Sequence, residues 1–275
     1  MDAVKYVVQC PAKLNLFLAV GPKDDRGWHP LRTIFQTIAL FDTLTAEPGY
    51  EDQVLSNAVW LPAENTAFKA LQLAREHLEF PRLNIHLQKS IPAESGLGGG
   101  SSDAAAVLRL ANSLSRDPLD REGLIRLGAR IGADVPFFLI GGRAKAEGYG
   151  EWLTPSADPP TSYLLVARPR FGCSTPQMYK ALDAQQYTWR EFPEGDELYN
   201  DFLRVAPQEC HVLVERLLTF GALDASLTGS GSAVFGRFEN LTAAETAESL
   251  LKAEGWEHLW ATRTLGRAES LSIKS

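Results

Sequence analysis

The chain has 275 residues, with 34 Asp and Glu against 27 Lys and Arg, and a formal net charge of −7. Hydrophobic residues at 45% and charged residues at 22% are ordinary globular values, which exclude a disordered or low-complexity chain. No apolar run approaches the roughly 20 residues of a membrane span, and the acidic balance disfavours nucleic acid as a partner.

Met1 to Val8 carries no long apolar stretch, so no signal peptide is expected. Cys10, Cys173 and Cys210 form no C-x-x-C pair, and the five histidines show no metal-ligand spacing. Neither a disulfide framework nor a structural zinc is expected, and a reducing cytoplasm fits best. The length suggests two domains.

In chain order, Lys5 to Val20 reads as strand, with Leu14, Leu16 and Leu18 alternating with Lys13, Asn15 and Phe17. That period places Lys13 and Asn15 on one face and the leucines on the other. A second strand runs from Arg32 to Leu40. A helix from Thr66 to Leu78 has Asn65 or Thr66 as N-cap, and Leu83 to Gln88 is a strand. A glycine-rich stretch from Pro92 to Asp103 then runs into a helix at Ala104 to Leu114, followed by one at about Asp120 to Ile131 that Gly132 ends. Thr154 to Ser162, with Pro155, Pro159 and Pro160, reads as the linker between halves 1–155 and 163–275. The second half predicts a strand at Tyr163 to Ala167, helices from about Pro176 and at Glu209 to Phe220, and strands at Ala225 to Leu227 and Ala233 to Phe238. A last helix opens on a Thr242–Glu245 capping box, and a final strand lies near Trp260 to Leu265. Helices and strands mix in both halves, so the class is α+β.

The strongest chemical signal is the loop Gly96-Leu97-Gly98-Gly99-Gly100-Ser101-Ser102 opening a helix. Glycines admit positive φ and close backbone approach. A helix start offers free N–H groups and partial positive charge, which together suit phosphate. The loop is neither Walker A nor G-x-G-x-x-G, because no Lys follows the last glycine and position 101 is Ser. Lys13 by itself reads as a solvated surface lysine, the commoner fate of that residue, or as a functional group. Asp134, between Gly132-Ala133 and Val135-Pro136-Phe137-Phe138, reads either as a cap or as a chemical carboxylate. Trp28-His29 offers a stacking face beside a directional donor and acceptor, or a hairpin turn. Thr228 to Ser232 reads as a second small-residue loop or a plain hairpin.

With these residues in hand, the chain resembles the GHMP kinases. Pro11-Ala12-Lys13-Leu14-Asn15-Leu16, Pro92 to Ala105 and Leu227 to Phe235 stand in the order of that family's three motifs. Trp28-His29 and Gly132-Ala133-Asp134-Val135-Pro136-Phe137-Phe138 narrow the likeness to the branch acting on a cytidyl diphosphate. The resemblance covers nearly the whole chain. It implies a two-domain fold with the site in the cleft between the halves. It also implies ATP-dependent phosphorylation of the 2-hydroxyl of a cytidyl-diphosphate-linked methylerythritol, in non-mevalonate isoprenoid synthesis. Lys13 and Asp134 match the catalytic pair. Pro92, Ala93, Glu94, Ser95, Gly96, Leu97, Gly98, Gly99, Gly100, Ser101 and Ser102 match the ATP loop, and Asn65 matches a position near the adenine. Asn15 and Thr175 match substrate contacts, His29 the residue that reads the cytosine edge, and Trp28 and Tyr179 the two aromatics around that ring.

The sequence departs from the family at Trp28, where Tyr is usual, and at Glu94, where small residues are common. A carboxylate near a triphosphate is unfavourable unless it points outward. Mg²⁺ is expected with ATP; Ser101, Ser102 and Asp103 stand near its expected place, but no protein metal ligand is assigned. The implied partners are the cytidyl diphosphate substrate and ATP, without nucleic acid or membrane, in a monomer or weak homodimer. The rival readings are a sister kinase acting on mevalonate, homoserine or a sugar, and an inactive ligand sensor on the same fold. Anionic ligands set a puzzle for a chain of net charge −7, and Arg26, Arg168 and Arg170 are candidates to assist locally.

Overall fold

Strand β1 (Tyr6–Val20) is almost wholly buried, and it pairs along its length with β2 (Leu31–Pro48). The pair slips register twice, at Pro11/Ala12 and at Asn15/Phe17. Pro11 lacks the N–H a regular ladder needs, so an irregularity is accommodated there. At Pro11/Ala12 two residues of β2, Ala39 and Leu40, have no partner in β1, and at Asn15/Phe17 one residue of β1, Leu16, has none in β2, so the ladder is interrupted at both points and the faces of the strand are re-aimed. Val8 and Cys10 therefore lie in a core with helices, whereas Ala12, Leu14 and Leu16 lie in a second core against the other sheet. The period-two expectation holds locally, and the bulges redirect it.

The computed structural model describes residues 5–57 and 65–274. The part of the signal-peptide reading that rests on Met1 to Val4 lies outside the described residues. After β2 come β3 (Gln53–Ser56), α1 (Thr66–His77), β4 (Leu83–Gln88), α2 (Gly99–Ser113), α3 (Arg121–Ala129), α4 (Val135–Ile140), β5 (Arg143–Glu147) and β6 (Trp152–Pro155). The second half contributes β7 (Tyr163–Arg168), α5 (Thr175–Asp183), β8 (Tyr199–Asn200), a 3-10 turn (Asp201–Val205), α6 (Gln208–Thr219), β9 (Asp224–Leu227), β10 (Val234–Phe238), α7 (Leu241–Ala253), β11 (His258–Arg263), α8 (Arg267–Ser270) and β12 (Ile273–Lys274). Among the described residues, eight strands form one sheet around the path β12-β1-β2-β4-β3, with β5 and β6 running off β2 and β8 off β1. A four-stranded sheet has the order β11-β7-β10-β9.

Helices α1 to α4 cover the first sheet through a core that includes Leu44, Leu71, Leu108 and Phe137. Helices α5 to α7 build a second core with Leu165, Leu213 and Leu251. Leu14, Ile38, Val166 and Phe235 fill the layer between the sheets. Chain from the second half completes the first sheet: β8 and β12 both pair with β1, and Thr264 bridges Ile38.

Several local expectations need correction. Helix α2 begins at Gly99 rather than Ala104, because Gly98 in the left-handed region turns the chain directly into the helix. β2 continues well beyond Leu40. The stretch read as a linker begins inside β6, whose last residue is Pro155, and the edge position tolerates that proline. The Thr242–Glu245 capping box does not form. Asn240 is the N-cap of α7 and its side chain accepts from the Ala243 N–H (2.9 Å), which leaves no cap role for Thr242.

Candidate active site

The glycine loop closes the junction of the two halves. Gly96 (φ 80°) passes so near the Thr228 carbonyl that a Cβ there would lie 2.1 Å from its oxygen. Gly98 (φ 75°) caps α2, and Ser102 N–H returns to its carbonyl (3.0 Å). The first turn of α2 holds no acidic residue, and its N–H groups and dipole face the cavity. That cavity, about 300 Å³, is lined by Thr66, Lys89 and the loop from Pro92 to Ser101. Thr66 Oγ1 donates to the Gly100 carbonyl (2.7 Å), which ties the start of α1 to the start of α2. Asn65 spends its side-chain oxygen capping α1 at Ala67 N–H (2.8 Å).

Not every loop residue faces the cavity. Leu97 is fully buried between the sheets, and its carbonyl accepts from Lys13 N–H (2.9 Å). Ser95 donates to the Pro92 carbonyl (2.7 Å) and so braces the loop from within. Glu94 has the one positive φ among the described non-glycine residues (52°). Glu94 is exposed and lines both this cavity and the next. The left-handed turn lays its side chain over Gly172, where any Cβ would meet the Glu94 Cβ at 2.6 Å.

The second cavity, about 410 Å³, holds Lys13, Asn15, Asp134, Thr175 and the Gly229–Gly231 loop. The bulge at Pro11 turns Lys13 toward it. Lys13 is 4% exposed, its ammonium donates to Asn15 Oδ1 (2.6 Å), and Asp134 Oδ2 stands 3.8 Å away. Burial pulls the Lys13 pKa below the usual lysine value, and the Asp134 charge works against that shift. Asp134 occupies the N-cap position of α4 without making a side-chain cap bond, so its carboxylate is left to the cavity. Asn15 is heavily committed. Its oxygen also accepts from Gly229 N–H (2.9 Å), and its amide donates to Thr33 (2.7 Å). The loop at Thr228 is therefore more than a hairpin turn, since it is stapled to β1 beside Lys13. Thr175 pairs with Ser230 by hydroxyls at 2.8 Å.

The third cavity, about 660 Å³, contains Trp28, His29, Tyr149, Tyr179 and Asp183 and shares Asp134, Thr175 and Tyr179 with the second. Trp28 is 65% exposed and offers its face to the space. Tyr179 packs on the His29 ring (5.2 Å between centroids) and edge-on to Phe202. Burial, followed by the charge of Asp134, pushes the Tyr179 phenol up to about 12. The Trp28 turn is held by Asp24, which accepts from Trp28 N–H (2.8 Å) and from the Tyr149 hydroxyl (2.6 Å). Tyr149 and Asp183 are site residues that sequence reading missed. Asp183 follows Tyr179 by one helical turn, a spacing that carried the signal.

The structure redirects two further expectations. Asp103 is fully buried and pairs with Lys89, which also pairs with Asp42, so it faces the core behind the loop rather than a metal. Burial, opposed by Lys89 and reinforced by Asp42, raises its pKa to about 7. Among the arginines, Arg170 is tied to Glu257 (2.6 Å) and Arg26 to Asp24 (3.1 Å), both at the surface. Neither these nor Arg168 lines the three cavities.

Residues 65–142 match the GHMP kinases N terminal domain model, and residues 189–255 match the GHMP kinases C terminal model. The 4-diphosphocytidyl-2-C-methyl-D-erythritol kinase of Caldicellulosiruptor saccharolyticus is 37% identical over 270 residues, covering 90% of this chain and 92% of that one. Its namesake in Clostridium kluyveri is 33% identical over 282 residues, covering 94% of this chain and 100% of that one. A crystal structure of 4-(cytidine 5′-diphospho)-2C-methyl-D-erythritol kinase superposes with a TM-score of 0.83 at 33% identity, over 94% of this chain and 99% of the other. A mevalonate kinase shares the fold at a TM-score of 0.71 and 15% identity, over 94% and 99%. Identity of this order, sustained along nearly the full length of both chains, makes this chain a member of the 4-diphosphocytidyl-2-C-methyl-D-erythritol kinase family of GHMP kinases.

Proposed function

We propose that the protein transfers the γ-phosphoryl group of ATP to the 2-hydroxyl of 4-diphosphocytidyl-2-C-methyl-D-erythritol. The observation that carries this reading is the order of the cavities. An aromatic cavity opens into the one holding Lys13 and Asp134, and that one shares Glu94, Gly96 and Gly98 with the phosphate-loop cavity. A base, a diphosphate, a hydroxyl and a triphosphate fit along that line in sequence. We further propose the halves 1–155 and 163–275 as the two domains, with the cleft between them.

Phosphoryl transfer asks a protein mainly for positioning and charge stabilisation. Amides at the start of α2 hold the ATP phosphates. Asp134 accepts the proton of the attacking hydroxyl. Lys13, anchored by Asn15, offsets charge gathering on the attacking oxygen and the transferring group and orients Asp134. Trp28 and Tyr179 flank the cytosine, His29 stands at its edge, and Thr175 reaches the hydroxyl end. Asn15 acts through Lys13 and the Thr228 loop, since Lys13 and Gly229 already occupy its oxygen. Mg²⁺ arriving with ATP offsets phosphate charge. The buried, unpartnered Ser102 hydroxyl fits as an oxygen group toward it, while the described residues offer no cluster of three metal-binding side chains.

Mass spectrometry of the cytidyl substrate after incubation with ATP tests the reading, with one added phosphate expected. Turnover of mevalonate or homoserine without the cytidyl substrate would overturn it. Asp134→Asn is expected to lower kcat by about 100-fold or more, in the range for loss of a general base. Near wild-type turnover would remove the base assignment.

A further inference from the structure

Helix α5 lines the cleft with a single face. Thr175, Tyr179 and Asp183 stand at i, i+4 and i+8, one above another. Thr175 serves the hydroxyl end and Tyr179 the ring. Asp183 has no part in the mechanism above, yet it contacts two residues of the other half. Its Oδ2 accepts from the Lys23 ammonium (2.9 Å), and its Oδ1 lies 3.0 Å from His29 Nε2, an ion-pair distance off the line of a hydrogen bond. Lys23 and His29 both belong to the turn between β1 and β2. Asp183 thus joins the two halves across the wall of the aromatic cavity.

The imidazole is gripped from its other side as well. His29 Nδ1 lies 2.8 Å from the Gly21 carbonyl, which only accepts, so Nδ1 donates. One nitrogen faces a carbonyl, the other a carboxylate, and the ring packs against Tyr179. Nδ1 is held by the Gly21 carbonyl while Nε2 makes no hydrogen bond, so the ring is fixed in place beside Tyr179 with its second nitrogen close to the Asp183 carboxylate. Charge gives a second argument. Lys23 and Lys180 line this cavity with Asp134 and Asp183, and without Asp183 beside it the Lys23 ammonium would draw the diphosphate of a substrate toward the place meant for its base.

We propose that Asp183 is a positioning residue for cytidyl recognition, fixing the His29–Tyr179 wall and neutralising Lys23 so that the uncharged base, not the diphosphate, enters this cavity. The proposal rests on the cytidyl-kinase reading above. Asp183 is partly exposed, so its substitution is compatible with folding.

The test is steady-state kinetics of Asp183→Asn with both substrates, together with inhibition by pyrophosphate and a thermal melt. The expected result is a KM for the cytidyl substrate raised about tenfold, a kcat within about twofold, an unchanged KM for ATP, and tighter pyrophosphate inhibition competitive with the cytidyl substrate. Asp183→Glu, which keeps the charge, recovers part of the loss. A cytidyl KM left at the wild-type value overturns the proposal. So does a joint change in both KM values and the melting temperature, which would mark a merely structural residue. Absence of cytidyl turnover by the wild-type protein is a different outcome, one that removes the functional reading itself and this proposal with it.

Discussion

A lysine that is both buried and chemically employed has a recognisable signature in pH. Lys13 loses its proton more readily than the ordinary value of 10.5, because burial disfavours its charge more than Asp134 supports it. The free enzyme is therefore expected to lose kcat/KM on an alkaline limb centred below 10.5, and Lys13→Arg should displace that limb upward even if its maximal rate is low. A pH–rate profile on both proteins checks this. Linkage works in the opposite direction for stability. The unfolded chain holds the extra proton between the two pKa values, so this group's contribution to stability rises with pH across that window. The sequence named Lys13, but it did not show where the side chain points. Simple alternation put it on one face of a regular strand, and the bulge at Pro11, which decides the face, depends on pairing with β2. Asp183 was legible as one helical turn beyond Tyr179, but its partners, which lie in a turn more than a hundred residues away, were not.

At the level of elements, α2 and its loop combine the most demanding backbone with the most costly buried charges. Gly96→Ala would place a Cβ 2.1 Å from the Thr228 oxygen at φ 80°. The expected loss is about 2–5 kcal/mol from overpacking and backbone strain, with a raised KM for ATP. Gly195→Ala, which meets nothing within 4 Å, is the control. Thermal melts with and without ATP distinguish the two. One turn further on, Asp103 binds its proton more tightly in the folded state, about 7 against 3.8. Its contribution to stability is then largest below about 3.8 and falls as pH rises toward about 7. Asp103→Asn should flatten that segment of a stability–pH curve relative to wild type, as measured by chemical denaturation. The glycines announced this loop because few other sequences need such freedom. The start of α2 was misplaced because glycine and serine are weak helix formers, and here the turn at Gly98 overrides propensity. Asn240 outcompeted the Thr242–Glu245 pattern simply by lying at the true boundary.

For the whole molecule, the net charge of −7 opposes both proposed ligands, while the attraction available is local: loop amides, the start of α2 and Lys13. Salt should screen the opposing field more than these close contacts, because the screening length shrinks from about 30 Å at 0.01 M to about 8 Å at 0.15 M. kcat/KM is expected to rise about two- to threefold over that range at constant free Mg²⁺. A steep fall, measured in the same assay, would reveal a long-range cationic patch instead. The α+β class and the order of most helices were readable from periodicity, whereas the short strands β3, β5, β6, β8 and β12 were not. Strands of two to five residues carry too little pattern, and their pairing partners define them.

That pairing also fixes an order of events in the cell. Among the described residues, the flank of β1 away from β2 is matched by Tyr199–Asn200 and Ile273–Lys274, and Thr37 in β2 bonds to Leu265 across 228 residues. Until those distant segments emerge, the nascent chain carries an open edge of the kind that invites mispairing. The first sheet is therefore closed only after β8 and β12 have been synthesised, by long-range pairings of the kind that form slowly.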